Sequence, residues 1–201
     1  MRKAYFFFFL LLCAVTVHAQ KTRSYTSGLK AGLNLYELKF DPSTEGISSD
    51  MRTSFNAGIF FNVPFSSCFS VQPELLYSGQ GGKFEGKDYK SELALTYVSI
   101  PVLFQYNTKI GFYVEAGPSL NVLAKGKETT TNNSVTSELD LKKRVKKAGF
   151  SVMGGLGYKM KNIGINARYD YGISNSAKVD TEPEIKSTGI QVGLSWAFKQ
   201  Q

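Results

Sequence analysis

The last apolar segment of the chain, Ser187 to Phe198, is the feature that most constrains the fold. Large apolar side chains stand at every second position, with small or polar residues between them. Successive side chains of a β-strand point to opposite faces, so one face of this strand is apolar and ends in aromatic residues. A strand whose apolar face contacts lipid has this pattern, although a strand of a soluble sandwich has the same period. The apolar face consists of Thr188, Ile190, Val192, Leu194, Trp196 and Phe198.

The first 19 residues have the three parts of a secretory signal peptide. A short basic start, an apolar run and small residues around Ala19 follow one another, and they predict cleavage before Gln20. The apolar run is short for a membrane-spanning helix. We therefore expect a signal peptide at residues 1–19 and a single exported barrel domain at residues 20–201.

Removal of this segment changes the chemistry that is available to the chain. It takes away Arg2 and Lys3, so the formal net charge falls from +8 to +6, and it contains His18, the only histidine. It also contains Cys13, which does not follow the small residue that a lipoprotein signal needs, and leaves Cys68 as the one remaining cysteine. An intramolecular disulfide, histidine acid–base catalysis and histidine metal sites are therefore not expected.

The exported part repeats the alternation of the final strand. It has no apolar stretch of the roughly 20 residues that a spanning helix needs, and turn signals are frequent. The links between strands alternate between long and short, as in membrane barrels with short periplasmic turns and longer outer loops. The sequence therefore predicts an all-β fold, an eight-stranded antiparallel up-and-down transmembrane β-barrel. The predicted strands cover about 27–40, 53–63, 69–78, 92–106, 112–122, 148–159, 163–171 and 187–198, and the long links are 41–52, 79–91, 125–147 and 173–186.

Several phrases, taken in order, resemble a known group of proteins. They are GLKAGLN (28–34), PELLYSGQGGK (73–83), YVSIPVLFQY (97–106), YVEAGPSLNVL (113–123), GLGYK (155–159), ARYDYGIS (167–174) and IQVGLSWAF (190–198). Together they look like the PorT-like outer-membrane β-barrel family of the Bacteroidetes. The resemblance implies a single eight-stranded barrel, similar to the OmpA and OmpX type, in a Gram-negative outer membrane. It implies little chemistry, and the secretion role of the name-giving member does not transfer on barrel similarity alone.

The final strand also resembles the signal that the barrel-assembly machinery reads, which favours a terminal aromatic residue. Phe198 is the candidate for that residue, with Trp196 two positions before it. Three further residues follow Phe198, so the signal is offset from the chain end. We expect outer-membrane lipid and the assembly machinery as partners of the chain.

The inward positions of the predicted barrel carry a group of charged residues. The interior of an eight-stranded barrel is about filled by side chains, and charges buried there need partners. We hypothesise a packed polar core in which Lys30 and Arg168 pair with Glu74, Glu115 and Asp170. The alternative is a path for protons or ions.

A basic cluster in the third long link is the sharpest charge feature. On the outer side it would bind lipopolysaccharide phosphates or acidic glycans, or it would be a solvated strand extension. Nucleic acid is not expected as the partner of an exported chain, despite the isoelectric point of about 9.4. The cluster consists of Lys142, Lys143, Arg144, Lys146 and Lys147.

Local features of the strands lead to three further predictions. A shift of apolar parity near Tyr36 predicts a bulge or the end of the lipid band, and Pro101 predicts a bulge or gap in its ladder. Aromatic residues near the strand ends are candidates for the interfacial girdles. They are Tyr36, Tyr97, Tyr106, Tyr158, Tyr169, Tyr171, Trp196 and Phe198.

The sequence contains no nucleophile elbow and no phosphate loop, and the pair of inward glutamates is weak evidence for acid–base catalysis. We predict no catalytic residues, no cofactor and no metal site. The expected function is structural or loop-mediated, with another envelope protein or lipopolysaccharide as the partner of the long links. The alternatives are a small porin-like permeability barrel and a soluble lipocalin-like barrel that binds lipid.

Overall fold

The computed structural model of the chain describes residues 25–41, 48–85, 89–132, 135–140, 146–174 and 184–198. Within these residues the alternating sequence forms nine antiparallel strand segments. They are β1 (Thr26–Asp41), β2 (Ser48–Pro64), β3 (Phe69–Glu85), β4 (Tyr89–Asn107), β5 (Phe112–Asn132), β6 (Val135–Asp140), β7 (Ala148–Met160), β8 (Ile163–Gly172) and β9 (Glu184–Ala197).

The strands close into a barrel. Neighbouring strands pair in the order β4, β3, β2, β1, β9, β8, β7 and β5, and the pairing of β4 with β5 closes the ring. The short β6 pairs with residues 127–132 of β5, and β7 pairs with residues 112–122 of the same strand. Together β6 and β7 occupy one position, which gives the eight-stranded antiparallel barrel that the sequence predicts. No helix in the described part of the chain is long and apolar enough to cross a membrane.

The two ends of the barrel differ in their connections. At one end, the turn end, β2 and β3, β4 and β5, and β7 and β8 are joined by residues 65–68, 108–111 and 161–162. Lys161 in the last of these turns has a φ of 52°, in the left-handed region that a two-residue hairpin turn requires. The opposite end of the barrel is the loop end. The strands continue there past the ends that the sequence predicts, and the longer links join them at this end.

All four of the predicted long links contain strand: β2 begins at Ser48 and β9 begins at Glu184, inside the predicted 41–52 and 173–186 links, and the other two links contain more. Strand β3 continues to Glu85 and β4 begins at Tyr89, so most of the predicted 79–91 link is paired ladder. Strand β5 continues to Asn132 and pairs with β6, so the predicted 125–147 link contains a hairpin. These predictions were wrong because the outward positions of the added strand segments are polar. The lipid-facing alternation that marks the strands nearer the turn end is absent from them.

The part of the barrel nearer the turn end, the lower barrel, has an apolar band on its outer wall. On β5 the outward side chains from Phe112 to Val122 are apolar at every position, a span of about 9–11 residues, as a tilted membrane strand needs. Leu33, Phe55 and Leu194 are each about 60% exposed on the same wall. Large apolar residues on the outside do not fit the soluble lipid-binding alternative, in which they would line the cavity.

The apolar parity shift near Tyr36 is not a bulge but coincides with the end of the apolar outer band, the second of the two predicted alternatives. Strand β1 keeps one uninterrupted register with β9 from Gly28 to Asp41, and Tyr36 and Leu38 both point into the barrel and are fully buried. At the same level, Leu95 and Tyr97 form a small apolar core. Tyr36 and Tyr97 are therefore interior residues, and their assignment to an interfacial girdle was wrong. The other six aromatic candidates point outward and are exposed.

The outer wall changes at the level where the interior becomes apolar. Lys83, Thr96 and Lys125 point outward there, and the backbones of Thr96 and Lys125 are paired partners. The lower barrel is thus apolar outside with a mainly polar interior, whereas toward the loop end the outward positions are polar and apolar side chains such as Leu38, Phe84 and Leu95 lie inside, beside polar ones such as Gln80 and Ser91. A wall that faces water requires this reversal, because only there does the hydrophobic effect drive apolar side chains inward.

The ladder beside Pro101 has the gap that the sequence predicts. Pairing of β3 with β4 steps from Pro73–Val102 to Leu76–Ser99 without intermediate pairs. Proline has no N–H to donate to the ladder. The register between β4 and β5 also shifts, between Thr96 and Tyr97.

Candidate functional site

A buried ion cluster crosses the middle of the barrel. Strand β8 places Arg168 inward, and its two terminal nitrogens donate to the two carboxylate oxygens of Glu74 on β3, each at 2.7 Å. The Nε of Arg168 donates to Glu115 on β5. Lys30 on β1 lies 3.4 Å from the same Glu74. Two cations and two carboxylates therefore contact one another in a space from which solvent is excluded.

Amide side chains complete the cluster. Gln72 donates to Glu74 at 2.7 Å, and Gln105 donates to Glu115 at 2.8 Å. Buried charges are tolerated when their remaining lone pairs are hydrogen-bonded, and these two glutamines supply those bonds. The side chains of Arg168 and Glu74 have no solvent exposure at all.

Glycines provide the room for the large inward side chains. Gly155 on β7 lies in register between Glu115 on β5 and Arg168 on β8, so no side chain separates these two residues. A Cβ on Gly155 would lie 2.8 Å from Cγ of Arg168. A Cβ on Gly189 would lie 2.6 Å from the ring of Tyr36. Both distances are shorter than real Cβ contacts, so these positions are restricted to glycine by space.

Asp170 belongs to a second network nearer the loop end. It lies one inward position beyond Arg168 on β8 and accepts a hydrogen bond of 2.5 Å from the hydroxyl of Tyr36. Gln191 donates to the same hydroxyl at 2.8 Å. The ion pairs of Lys30 and Arg168 described above involve the two glutamates, whereas the sequence hypothesis also gave them Asp170 as a partner.

Neutral polar side chains line much of the rest of the lumen, together with apolar ones such as Leu103 and Met153. Asn34 donates to Ser78 at 3.0 Å, and Asn121 donates to Ser151 at 3.0 Å. At the turn end, Lys159 donates to Gln105 and to the side chain of Asn107, both at 2.9 Å. The sequence hypothesis omitted the neutral residues because it considered only charged inward positions, and it also omitted Lys159, which is charged. The alternation that identified Glu74 places all of these side chains inward and was sufficient to find them.

Part of the basic cluster of the third link lies within the described residues. Lys146 is half-buried and Lys147 is exposed at the loop end. The carbonyl of Lys147 accepts a hydrogen bond from the backbone N–H of Leu123, at 2.8 Å, which places it beside the polar part of β5. The other three residues of the cluster, Lys142, Lys143 and Arg144, lie outside the described residues. Trp196 and Phe198, the residues predicted to form the assembly signal, face outward at the turn end, with exposures of 63% and 51%.

Comparison with known proteins decides the family. The sequence matches the family described as "Outer membrane protein beta-barrel domain" over residues 18–178. The chain belongs to this family. Outer-membrane β-barrel proteins lie in a lipid environment, and the apolar outer band of the lower barrel is the surface that contacts it. A comparison with curated protein sequences gave no match.

Solved structures of outer-membrane barrels share the fold. Ail, the attachment invasion locus protein of Yersinia pestis, is 15% identical with a TM-score of 0.51, and the match covers 88% of this chain and 100% of Ail. Neisserial surface protein A is 12% identical with a TM-score of 0.53, and the match covers the same shares of the two chains. At these identities the likeness establishes the barrel architecture for this outer-membrane protein and nothing about its ligands.

Proposed function

We propose that this outer-membrane protein is a closed, non-enzymatic barrel that presents its loop end to another component of the envelope. The contact between Arg168 and both Glu74 and Glu115 is the observation that carries this proposal. It spans the lumen from β8 to β3 and β5, where an open channel would need water. Above it lies the apolar core around Leu95. Both features favour a plugged barrel over a permeability path.

Conductance of the purified protein in planar bilayers tests the closed-barrel proposal. We expect no reproducible open channel from the wild-type protein, with a porin of known conductance as the positive control for insertion. A variant in which Glu74, Glu115 and Arg168 are all replaced by alanine removes the side chains that fill the lumen, and it is the matched comparison. A steady open channel from the wild-type barrel would support the porin-like alternative instead.

The candidate partner with specific support is the phosphate-bearing headgroup layer of the outer leaflet. Lys125 points outward just above the apolar band, and Lys147 lies beside the same part of β5. Lysines at that level face the depth at which lipid phosphates lie, and the remaining residues of the basic cluster belong to the same link. The test is binding of the purified barrel to vesicles with and without lipopolysaccharide. We expect weaker binding when Lys125, Lys146 and Lys147 are replaced by glutamine, and unchanged binding when Lys109 at the turn end is replaced.

We further propose, as a more specific form of this function, that the protein is a PorT-like barrel with a link to protein secretion. The phrases quoted from the sequence support the resemblance, and the loop-presenting barrel is compatible with a contact to secretion components. Deletion of the gene followed by measurement of secreted protein in the medium tests the link. Normal secretion in the deletion strain would leave the barrel as a structural protein of the outer membrane.

Export and assembly complete the proposed function. We propose that the signal peptide is cleaved before Gln20 and that the assembly machinery reads the strand that ends at Phe198. The mass of the protein purified from outer membranes tests the cleavage, because removal of residues 1–19 changes it by a defined amount. Retention of the N-terminal segment in the mature protein would contradict this part of the proposal.

A further inference from the structure

A cavity of about 130 Å³ opens at the turn end of the barrel, below the ion cluster. Lys161 and Asn162, both exposed, lie at its rim, and Asn166 and Lys159 line its wall. Arg168 lies one inward position beyond Asn166 on β8, so the cavity ends at the ion cluster. We call this cavity the turn-end vestibule. The lysines of its lining are Lys30, Lys159 and Lys161.

The charge of this lining is one-sided. Three lysines contribute to it and no aspartate or glutamate does. Lys30 is paired with Glu74, but Lys159 has no carboxylate within ion-pair distance in the described part of the chain, and its hydrogen-bond acceptors are the neutral oxygens of Gln105 and Asn107. A concave site lined by one sign of charge concentrates ions of the opposite sign. The vestibule therefore favours an anion.

Asn166 provides an independent observation that points to a ligand. Its side chain is only 4% exposed, and neither its amide nitrogen nor its amide oxygen has a hydrogen-bond partner among the described residues. Buried polar atoms are almost always hydrogen-bonded, so a buried amide without a partner needs an explanation. At about 30 Å³ for each water, the vestibule has room for about four waters or for one small polyatomic anion.

We infer that the turn-end vestibule binds a small oxyanion, a phosphate or a carboxylate. Lys159 and Lys161 supply positive charge, and the amide nitrogen of Asn166 donates a hydrogen bond, which is the donor set that oxygen anions accept. Because the vestibule ends at the ion cluster, it is a binding site and not the entrance of a pore. The inference does not depend on the partner proposed for the loop end.

Calorimetric titration of the purified mature barrel in detergent tests the inference. Inorganic phosphate and acetate are titrated separately at constant ionic strength maintained with chloride. We expect saturable binding of at least one of the two, with one anion per barrel. Lys159→Gln and Lys161→Gln should each weaken binding by about tenfold or more, as for the loss of a hydrogen bond to a charged group. The tighter of the two anions distinguishes a phosphate source from a carboxylate source.

Lys109→Gln is the matched control, because Lys109 is an exposed turn lysine at the same end and does not line the vestibule. It should leave binding unchanged. Asn166→Leu should also weaken binding, whereas its gel mobility without boiling should remain that of a folded barrel. Lys161 is on an exposed turn, so its variant is informative even if Lys159→Gln fails to fold. Absence of saturable binding to the wild-type barrel, or equal losses in Lys109→Gln and Lys161→Gln, would overturn the inference.

Discussion

The guanidinium of Arg168 and the carboxylate of Glu74 form a two-pronged pair across the lumen, with both N–O distances at 2.7 Å. The two residues lie 94 positions apart in the sequence and on strands that are not neighbours in the barrel. This fork-to-fork geometry is specific to arginine, because lysine presents a single point charge. The pair therefore links the far walls of the barrel and stabilises its cross-section.

Replacement of Arg168 by methionine should strongly destabilise the barrel. The change keeps much of the side-chain volume but removes the ion pair of Glu115, and it leaves Lys30 as the ion-pair partner of Glu74. Breaking a buried pair from one side typically costs about 3–5 kcal/mol. The measurement is the urea midpoint for unfolding in lipid vesicles, together with the temperature at which the unboiled band shifts on a gel.

A rescue variant separates lost charge pairing from lost packing. Replacement of Glu115 by glutamine in the Arg168→Met background removes the carboxylate that has lost its ion pair, and it leaves Glu74 paired with Lys30. We expect much of the lost stability to return, since apolar and neutral groups can replace a buried ion pair at little cost. Normal heat resistance of the Arg168→Met single variant would show that the cluster does not support the fold.

Gly155→Ala should destabilise the barrel through a steric clash. The new Cβ would lie 2.8 Å from Cγ of Arg168 and 2.5 Å from the carbonyl oxygen of Ala167. Overpacking of this kind typically costs about 1–3 kcal/mol. The same urea and gel measurements report the effect. Gly154→Ala is the matched control, because the neighbouring position faces outward and a Cβ there meets nothing within 4 Å. Equal stabilities of the two variants would show that the Arg168 side chain moves aside freely.

A lysine at Val192 should destabilise the barrel by exposing charge to lipid. Val192 is 54% exposed in the middle of the apolar band, where a basic residue costs roughly 2–4 kcal/mol. The control is Thr53→Lys, because Thr53 faces outward nearer the loop end and the cost there falls to about 0–1 kcal/mol. Refolding into vesicles and urea titration give both values. Similar costs at the two positions would mean that the apolar band does not coincide with the membrane.

Phe198→Ala should lower the fraction of the protein that reaches the outer membrane in folded form. The assembly machinery favours an aromatic residue at the end of the last strand, and Phe198 is the candidate. The measurement is the ratio of folded to unfolded protein in the membrane fraction, read from unboiled gels. Phe150→Ala is the control, because Phe150 is also an exposed outward aromatic but begins β7 near the loop end. Equal effects of the two substitutions would favour a loss of general lipid contact.

The lower barrel was predictable from the sequence because lipid imposes one simple demand on it. Every outward position must be apolar, so period two marks the strands and their inward residues together. Glu74 and Arg168 could therefore be assigned to the lumen. Their contact with each other could not be read in the same way, because it depends on the stagger of the strands round the barrel, which alternation alone does not determine.

The strand segments at the loop end could not be predicted from the same alternation. Lys83 faces water and Phe84 faces the interior, so the pattern of the lower strands is inverted there, and the segment resembles a polar link with stray apolar residues. The assignment of Tyr36 to the membrane interface fails on the same grounds, because Tyr36 is fully buried inside the barrel. Apolar residues that face lipid can be distinguished from apolar residues that face the interior by the residues between them. Small or polar residues between them indicate the lipid-facing strands, and charged residues between them indicate a wall that faces water.

The inversion of polarity along the barrel wall means that the protein spans two different solvents with one continuous sheet. Below the inversion the surrounding hydrocarbon keeps the strands folded, and above it the barrel is held by its own interior, as in a water-soluble protein. The strands above the inversion therefore do not need hydrocarbon around them to stay folded. A change of lipid thickness or composition should then act on the lower barrel and leave the upper part of the sheet as it is.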